Sequence, residues 1–269
     1  MSKGLSRKAL IAILVVCLAG AIAGVAYLVN AALDIQQAQE RQEQTPVPTN
    51  PKDDSTSSSS AETSSASKPE LPDNPIDFAK LRKKNSDIYA WITVPDTMVN
   101  YAVLQNPLDN SFYLTHNEDK EESPSGAVFS ELYNTKDFTD PVTMLYGHNG
   151  FGDTYFTTLH YFRDKEFFDS HPEFYIYTPG HMYTYTVVSA FITDDRHIFS
   201  VYNFSKEDQL LQFEHDITHS ESVYSAERED VELDENSRFV VLSTCNPVEI
   251  GHTGRFLVCG VLTDDTETK

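Results

Sequence analysis

Cysteine is scarce in this 269-residue chain, and so is positive charge. Three cysteines are too few for a disulfide scaffold, so any folded part must be held by its core. Twenty Lys and Arg stand against 41 Asp and Glu, a formal charge of −21. A nucleic-acid surface needs clustered cations to meet phosphates, so the balance argues against that partner; the acidity reads as a solubility feature. Metal-site spacing is lacking as well. His215 and His219 lie four apart, but no Glu follows His215 and no third ligand is evident, so a solvated helix face is expected. The acidic run Glu118, Asp119, Glu121, Glu122 has neither the alternating ligands nor the glycine of a calcium loop, and reads as solvated loop. There is no internal repeat. No metal and no cofactor is called for.

What is present divides the chain into four stretches. Residues 1–8 carry Lys3, Arg7 and Lys8. Residues 9–29 are uncharged and apolar, enough to cross a bilayer as one helix. Basic residues before the run and Asp34 and Glu40 after it place the N-terminus in the cytoplasm and the rest outside. The run continues well past the small residues Ala19-Gly20-Ala21, which favours an uncleaved anchor over a cleaved signal peptide. Residues 30–73, rich in Ser, Pro and Gln, lack the apolar content for a core and are expected to be a flexible spacer. Residues 74–269 form the folded domain.

Within that domain a helix is expected from Ile76, with Phe78, Leu81 and Ile88 as further apolar contacts. Eight strand-like segments follow, at about 89–94, 98–104, 126–130, 142–147, 173–178, 182–193, 238–245 and 255–263. Residues 154–169 are helical in period. A second helix is expected from Ser205 as N-cap, with Leu210, Leu211, Phe213 and Ile217 apolar. Many short strands with a few inserted helices predict a mainly β fold, a closed β-barrel decorated by helices.

The chemistry concentrates where the last two strand segments meet. Arg238–Cys245 and Arg255–Leu262 flank nine residues that include Asn246-Pro247, Gly251 and Gly254. If the two segments pair antiparallel, Cys245 and Arg255 share one rim of the sheet. A guanidinium beside a thiol favours the thiolate and can hold a developing oxyanion. In that pairing Cys259 lies about 13 Å along the strand from the rim, too far for a disulfide, so it is expected to be a small buried hydrophobe and Cys245 to stay free. A cysteine nucleophile needs a proton shuttle. Of nine histidines, His148 ends the strand-like Val142–Tyr146 segment and precedes Asn149-Gly150, a strand-end position suited to catalysis.

These residues carry a resemblance. Val241-Leu242-Ser243-Thr244-Cys245, with Arg255 ten residues on, resembles the TLxTC signature of sortases, although Val241 stands where Thr is usual. Tyr146-Gly147-His148-Asn149 resembles the histidine segment of that family. Asn100-Tyr101-Ala102-Val103-Leu104-Gln105 and the helix before the last strands are similar to class B sortases, over about residues 76–263. The resemblance implies an eight-stranded sortase-type barrel and a cysteine transpeptidase on the outer face of a Gram-positive membrane. By it, Cys245 attacks the carbonyl after a Thr in a C-terminal sorting signal, of Asn-Pro-x-Thr type in class B. His148 shuttles the proton, and Arg255 stabilises the oxyanion. The acceptor is an amine of cell-wall peptide or pilin. Asn100, Leu104, Tyr146, Ser243 and Thr244 are implied to bind the peptide, the segment Phe191–Phe204 and its following helix to form a wall, and Asn246 to influence preference. Asn149 and Asp153 are given no catalytic role. Two alternatives stay open: a cysteine endopeptidase using the same pair, and a non-catalytic surface module in which Cys245 is only a strand-end thiol.

Overall fold

A computed structural model describes residues 6–44, 71–150, 152–222, 224–245 and 254–269. Helix α1 (Arg7–Gln44) is long and apolar enough to cross a membrane over Ile11–Gln37, judged by length and composition. It runs beyond the expected end at residue 29. The Ala, Gln and Glu content of that extension favours helix, and Gln36 donates to Glu40 at 2.9 Å one turn on. The expected spacer therefore begins as helix, and its residues 45–70 lie outside the described residues.

Eight strands close a barrel. They are β1 (Ile88–Thr93), β2 (Asn100–Leu104), β3 (Val128–Phe129), β4 (Val142–Tyr146), β5 (Glu173–Thr178), β6 (His181–Thr193), β8 (Phe239–Cys245) and β9 (Arg255–Glu267). Their order is β5-β1-β2-β3-β4-β8-β9-β6, closed by pairing of β5 with β6. All eight expected strands are present. A short ninth, β7 (Ser225–Glu227), pairs with the outer edge of β6; three residues with little alternation gave no signal in the sequence.

Strand alternation sorts the core. Along β8, Val240 and Leu242 point into the barrel with Phe156, Phe174, Tyr185 and Val258. Phe239 and Val241 point outward, under the helix α5 (Glu207–Thr218), against Leu210, Phe213 and Ile217. A strand buried on both faces reads as an unbroken apolar run, as Phe239–Leu242 does. A third cluster lies beneath α2 (Phe78–Lys84), where Ile76 and Phe78 pack on Trp91, Tyr175 and Tyr177.

Two of the helices begin where an Asp side chain bonds the backbone. Asp77 caps α2 by accepting from the Lys80 N–H. The helix stops at Lys84 because Asn85 turns extended and donates to the Tyr113 hydroxyl and the Glu118 carbonyl, so Ile88 joins β1 instead of the helix. The 154–169 segment splits into a 3-10 helix (Thr157–Arg163) and α3 (Lys165–Ser170), because Asp164 restarts the chain as a new cap on the Phe167 N–H. A one-turn helix, α4 (Ile198–Val201), precedes α5. Ser205 does not cap α5: its hydroxyl donates to Asn203, the helix starts at Glu207, and Leu211 is exposed. In the acidic loop Lys84 pairs with Glu118 and Asp119.

At Gly260 in β9 the barrel interior packs directly against backbone. A Cβ there would run into the Phe174 ring, which is fully buried. Gly260→Ala therefore overpacks the core, with an expected cost of about 1–3 kcal/mol. Thermal unfolding should show a Tm lower by several degrees; an unchanged Tm would mean that Phe174 has room to yield.

Candidate active site

Register sets the site. β4 and β8 run parallel with Tyr146 opposite Ser243, and the Gly147 N–H extends the ladder by donating to the Ser243 carbonyl at 3.1 Å. Two residues further on, each strand delivers one reactive side chain: His148 from β4 and Cys245 from β8. β8 and β9 run antiparallel with Cys245 opposite Arg255. Sulfur, imidazole and guanidinium thus come from adjacent strand ends at one rim of the barrel.

All three line a single groove of about 210 Å³. Its floor includes Met144, Tyr146, Ser243 and Leu257, and one wall is Thr193–Ile198, within the segment expected to form it. Asn110, Ser111 and Leu114 also line the groove. Cys245 is exposed and Cys259 is fully buried opposite Val241, as the strand geometry predicts; none of the three cysteines is in a disulfide. Burial pushes the Cys259 thiol up to about 12, which keeps it unreactive at neutral pH.

His148 is half-buried, and its Nε2 lies 2.8 Å from the Leu114 carbonyl. A carbonyl only accepts, so Nε2 carries the hydrogen and Nδ1 is the nitrogen left for proton transfer. Gly126 makes this approach possible. Its φ is +58°, and a Cβ there would lie 2.9 Å from the Leu114 carbonyl oxygen and 3.1 Å from the His148 ring.

At the far end of the groove Tyr146 donates to Glu131 at 3.0 Å, and His197 meets the same carboxylate oxygen at 2.6 Å. Burial first, then the Glu131 carboxylate, raises the Tyr146 phenol well above its ordinary value, while Arg255 acts in the opposite direction. The guanidinium therefore lies within electrostatic reach of this cluster.

Of the residues implied to bind peptide, Tyr146, Ser243 and Thr244 line the groove. Asn100 and Leu104 do not. The Asn100 side chain is buried as acceptor for the Trp91 indole N–H (2.7 Å) and the Thr93 hydroxyl (3.2 Å), and Leu104 is packed in the cluster beneath α2. Both belong to the barrel wall. Residues 246–253, Asn246 among them, lie outside the described residues. The sequence reading missed Glu131 and His197, and also His160, whose Nε2 is 3.1 Å from the Cys245 carbonyl. Only the closed barrel brings these together, since their partners are remote in the chain.

A barrel with a thiol, an imidazole and a guanidinium around one groove is built for acyl transfer through a cysteine. Comparison with known proteins agrees. The sortase domain model matches residues 92–263. Sortase B of Listeria monocytogenes is 30% identical over 192 residues, covering 68% of this chain and 72% of the relative. The crystal structure of Clostridium perfringens sortase B superposes with a TM-score of 0.63 at 28% identity, covering 69% of this chain and 99% of that one. A Staphylococcus aureus sortase B–substrate complex gives 0.62 at 27% identity, covering 70% and 84%. The chain belongs to the sortase family, and its relatives are of class B.

The two domain thiols should differ sharply in reactivity. Brief treatment of the folded protein with iodoacetamide, followed by peptide mass mapping, should label Cys245 and leave Cys259 untouched until denaturant is added. Equal labelling of both would contradict the burial described.

Proposed function

We propose that this chain is a membrane-anchored cysteine transpeptidase that cleaves a C-terminal sorting signal after Thr and passes the acyl group to an amine. The observation that carries the reading is the meeting of Cys245, His148 and Arg255 at one groove. The thiol proton passes to His148 Nδ1, and the sulfur attacks the carbonyl carbon of the Thr residue. The tetrahedral oxyanion is stabilised by Arg255. Collapse of that intermediate breaks the peptide C–N bond as the imidazolium protonates the leaving amine, giving a thioacyl-enzyme. The Leu114 carbonyl holds Nε2–H throughout, so the ring keeps one orientation in both protonation states. An incoming amine gives its proton back to His148 and displaces the thiol.

Tyr146, Ser243 and Thr244 line the path of the bound peptide. The similarity to class B sortases, one of them solved as a substrate complex, supports a sorting-signal peptide as donor, of Asn-Pro-x-Thr type. Cell-wall peptide or a pilin lysine supplies the amine. Helix α1 anchors the enzyme with its N-terminus cytoplasmic and the barrel outside; the basic residues before Ile11 favour that orientation.

Incubation with a sorting-signal peptide and a separate amine tests the reading. Unmodified protein should yield a ligated product. Cys245→Ala should yield none, and Arg255→Ala should lose about 10²–10³ in kcat. Hydrolysis that ignores the amine would make the protein an endopeptidase. Cleavage that survives Cys245→Ala would reject both enzymatic readings.

A further inference from the structure

Carbonyls of a strand alternate between its two edges, so those of residues 243 and 245 face the same neighbour. The Ser243 carbonyl accepts from the Gly147 N–H, on the β4 edge of β8. The Cys245 carbonyl is the next acceptor on that edge, but β4 ends at Tyr146 and the chain has turned away at His148. A donor from elsewhere fills the position: His160 Nε2, 3.1 Å from the Cys245 oxygen. The bond reaches back from the 3-10 helix Thr157–Arg163, part of the same segment that leaves β4 through His148.

His160 is suited to this one task. Because a carbonyl only accepts, Nε2 must carry the hydrogen. Nδ1 is buried with no hydrogen-bond partner among the described residues, a setting hostile to a second proton. Burial lowers the imidazole pKa, the Cys245 carbonyl opposes that, and Arg163 adds to it, so the balance favours the neutral ring. Its face packs on Phe256, 4.9 Å between ring centres, and Phe256 is the β9 partner of Thr244. The segment that carries His148 is itself closed onto this helix: Phe156 N–H donates to the His148 carbonyl, and Gly150 N–H to the Thr157 hydroxyl.

We propose that His160 is a positioning residue, replacing the ladder donor that β4 no longer supplies and fixing the Cys245 peptide relative to His148. It never touches substrate. Releasing the Cys245 carbonyl would leave the nucleophile's peptide free to rotate at the strand end, and acylation would slow while peptide binding in the groove stayed intact. This role rests on Cys245 being the attacking thiol.

Two measurements on the full-length chain in detergent decide it. Long-range proton–nitrogen NMR should show His160 as the neutral Nε2–H tautomer; an Nδ1–H tautomer would overturn the proposal without any substrate being needed. The second is single-turnover acylation by a sorting-signal peptide. His160→Gln, whose amide nitrogen reaches as far as Nε2, should stay within about threefold of the unmodified rate. His160→Asn, too short to reach, and His160→Leu should lose about tenfold in rate with KM changed less than about twofold. If the Leu variant fails to fold, the contrast between Gln and Asn decides. Acylation at the unmodified rate with Asn or Leu, or a loss with Gln equal to that with Asn, would reject the positioning role. Cys245→Ala, run alongside, separates the two readings: cleavage without the thiol rejects the nucleophile, whereas cleavage that needs the thiol but ignores position 160 rejects only His160.

Discussion

The parallel pairing of β4 with β8 is the constraint on which the site depends. Tyr146 lies opposite Ser243, so the next side chains past the ladder, His148 and Cys245, emerge level at the same rim. Parallel strands cannot be joined by a tight turn, and the crossover here holds β5, β6, β7 and α5. Two of those elements, β5 and β6, are barrel strands, and Thr193–Ile198 at the end of β6 is one wall of the groove. A slip of one residue between β4 and β8 would turn Val240 and Leu242 out of the barrel core, so the packing that stabilises the fold also fixes the spacing of the reactive pair.

Around that register the polar groups fall into two tiers. Exposed Cys245 and half-buried His148 and Arg255 face the groove. Behind and beside them, groups that do not face the reacting atoms hold their neighbours in place: the Leu114 carbonyl takes the His148 Nε2–H, and Glu131 joins Tyr146 to His197. The Glu131–His197 contact ties the wall segment Thr193–Ile198 to the end of β3. Tyr133, stacked on Phe199 at 5.1 Å, reinforces that tie from the solvent side. One strand end carries the nucleophile, and loops from three other parts of the barrel define the space in front of it.

Much of this was legible in the sequence because strand alternation and the residues at strand ends are local signals. The eight barrel strands, the free Cys245, the buried Cys259 and the pairing of Cys245 with Arg255 all follow from periodicity and turn residues. What escaped depends on partners far along the chain. His160 sits in a stretch of helical period, and nothing near it in sequence indicates that its partner is the Cys245 carbonyl. Asn100 and Leu104 were implied by resemblance to bind peptide, but here Trp91 and Thr93 claim the Asn100 amide oxygen and the cluster beneath α2 claims Leu104. The helix limits failed for a different reason. Asn85 and Asp164 act on the backbone through their side chains, and Ser205 turns to Asn203, choices that propensity alone does not resolve.

The account stands on Cys245 being the atom that carries the acyl group, and trapping that intermediate tests it most directly. The full-length protein, mixed with a sorting-signal peptide and quenched in acid, should gain the mass of the peptide's N-terminal part through Thr. Fragmentation should place the acyl group on the peptide containing Cys245, and addition of an amine before the quench should discharge it. No adduct with a cleaved peptide, or an adduct on any other residue, would contradict the account.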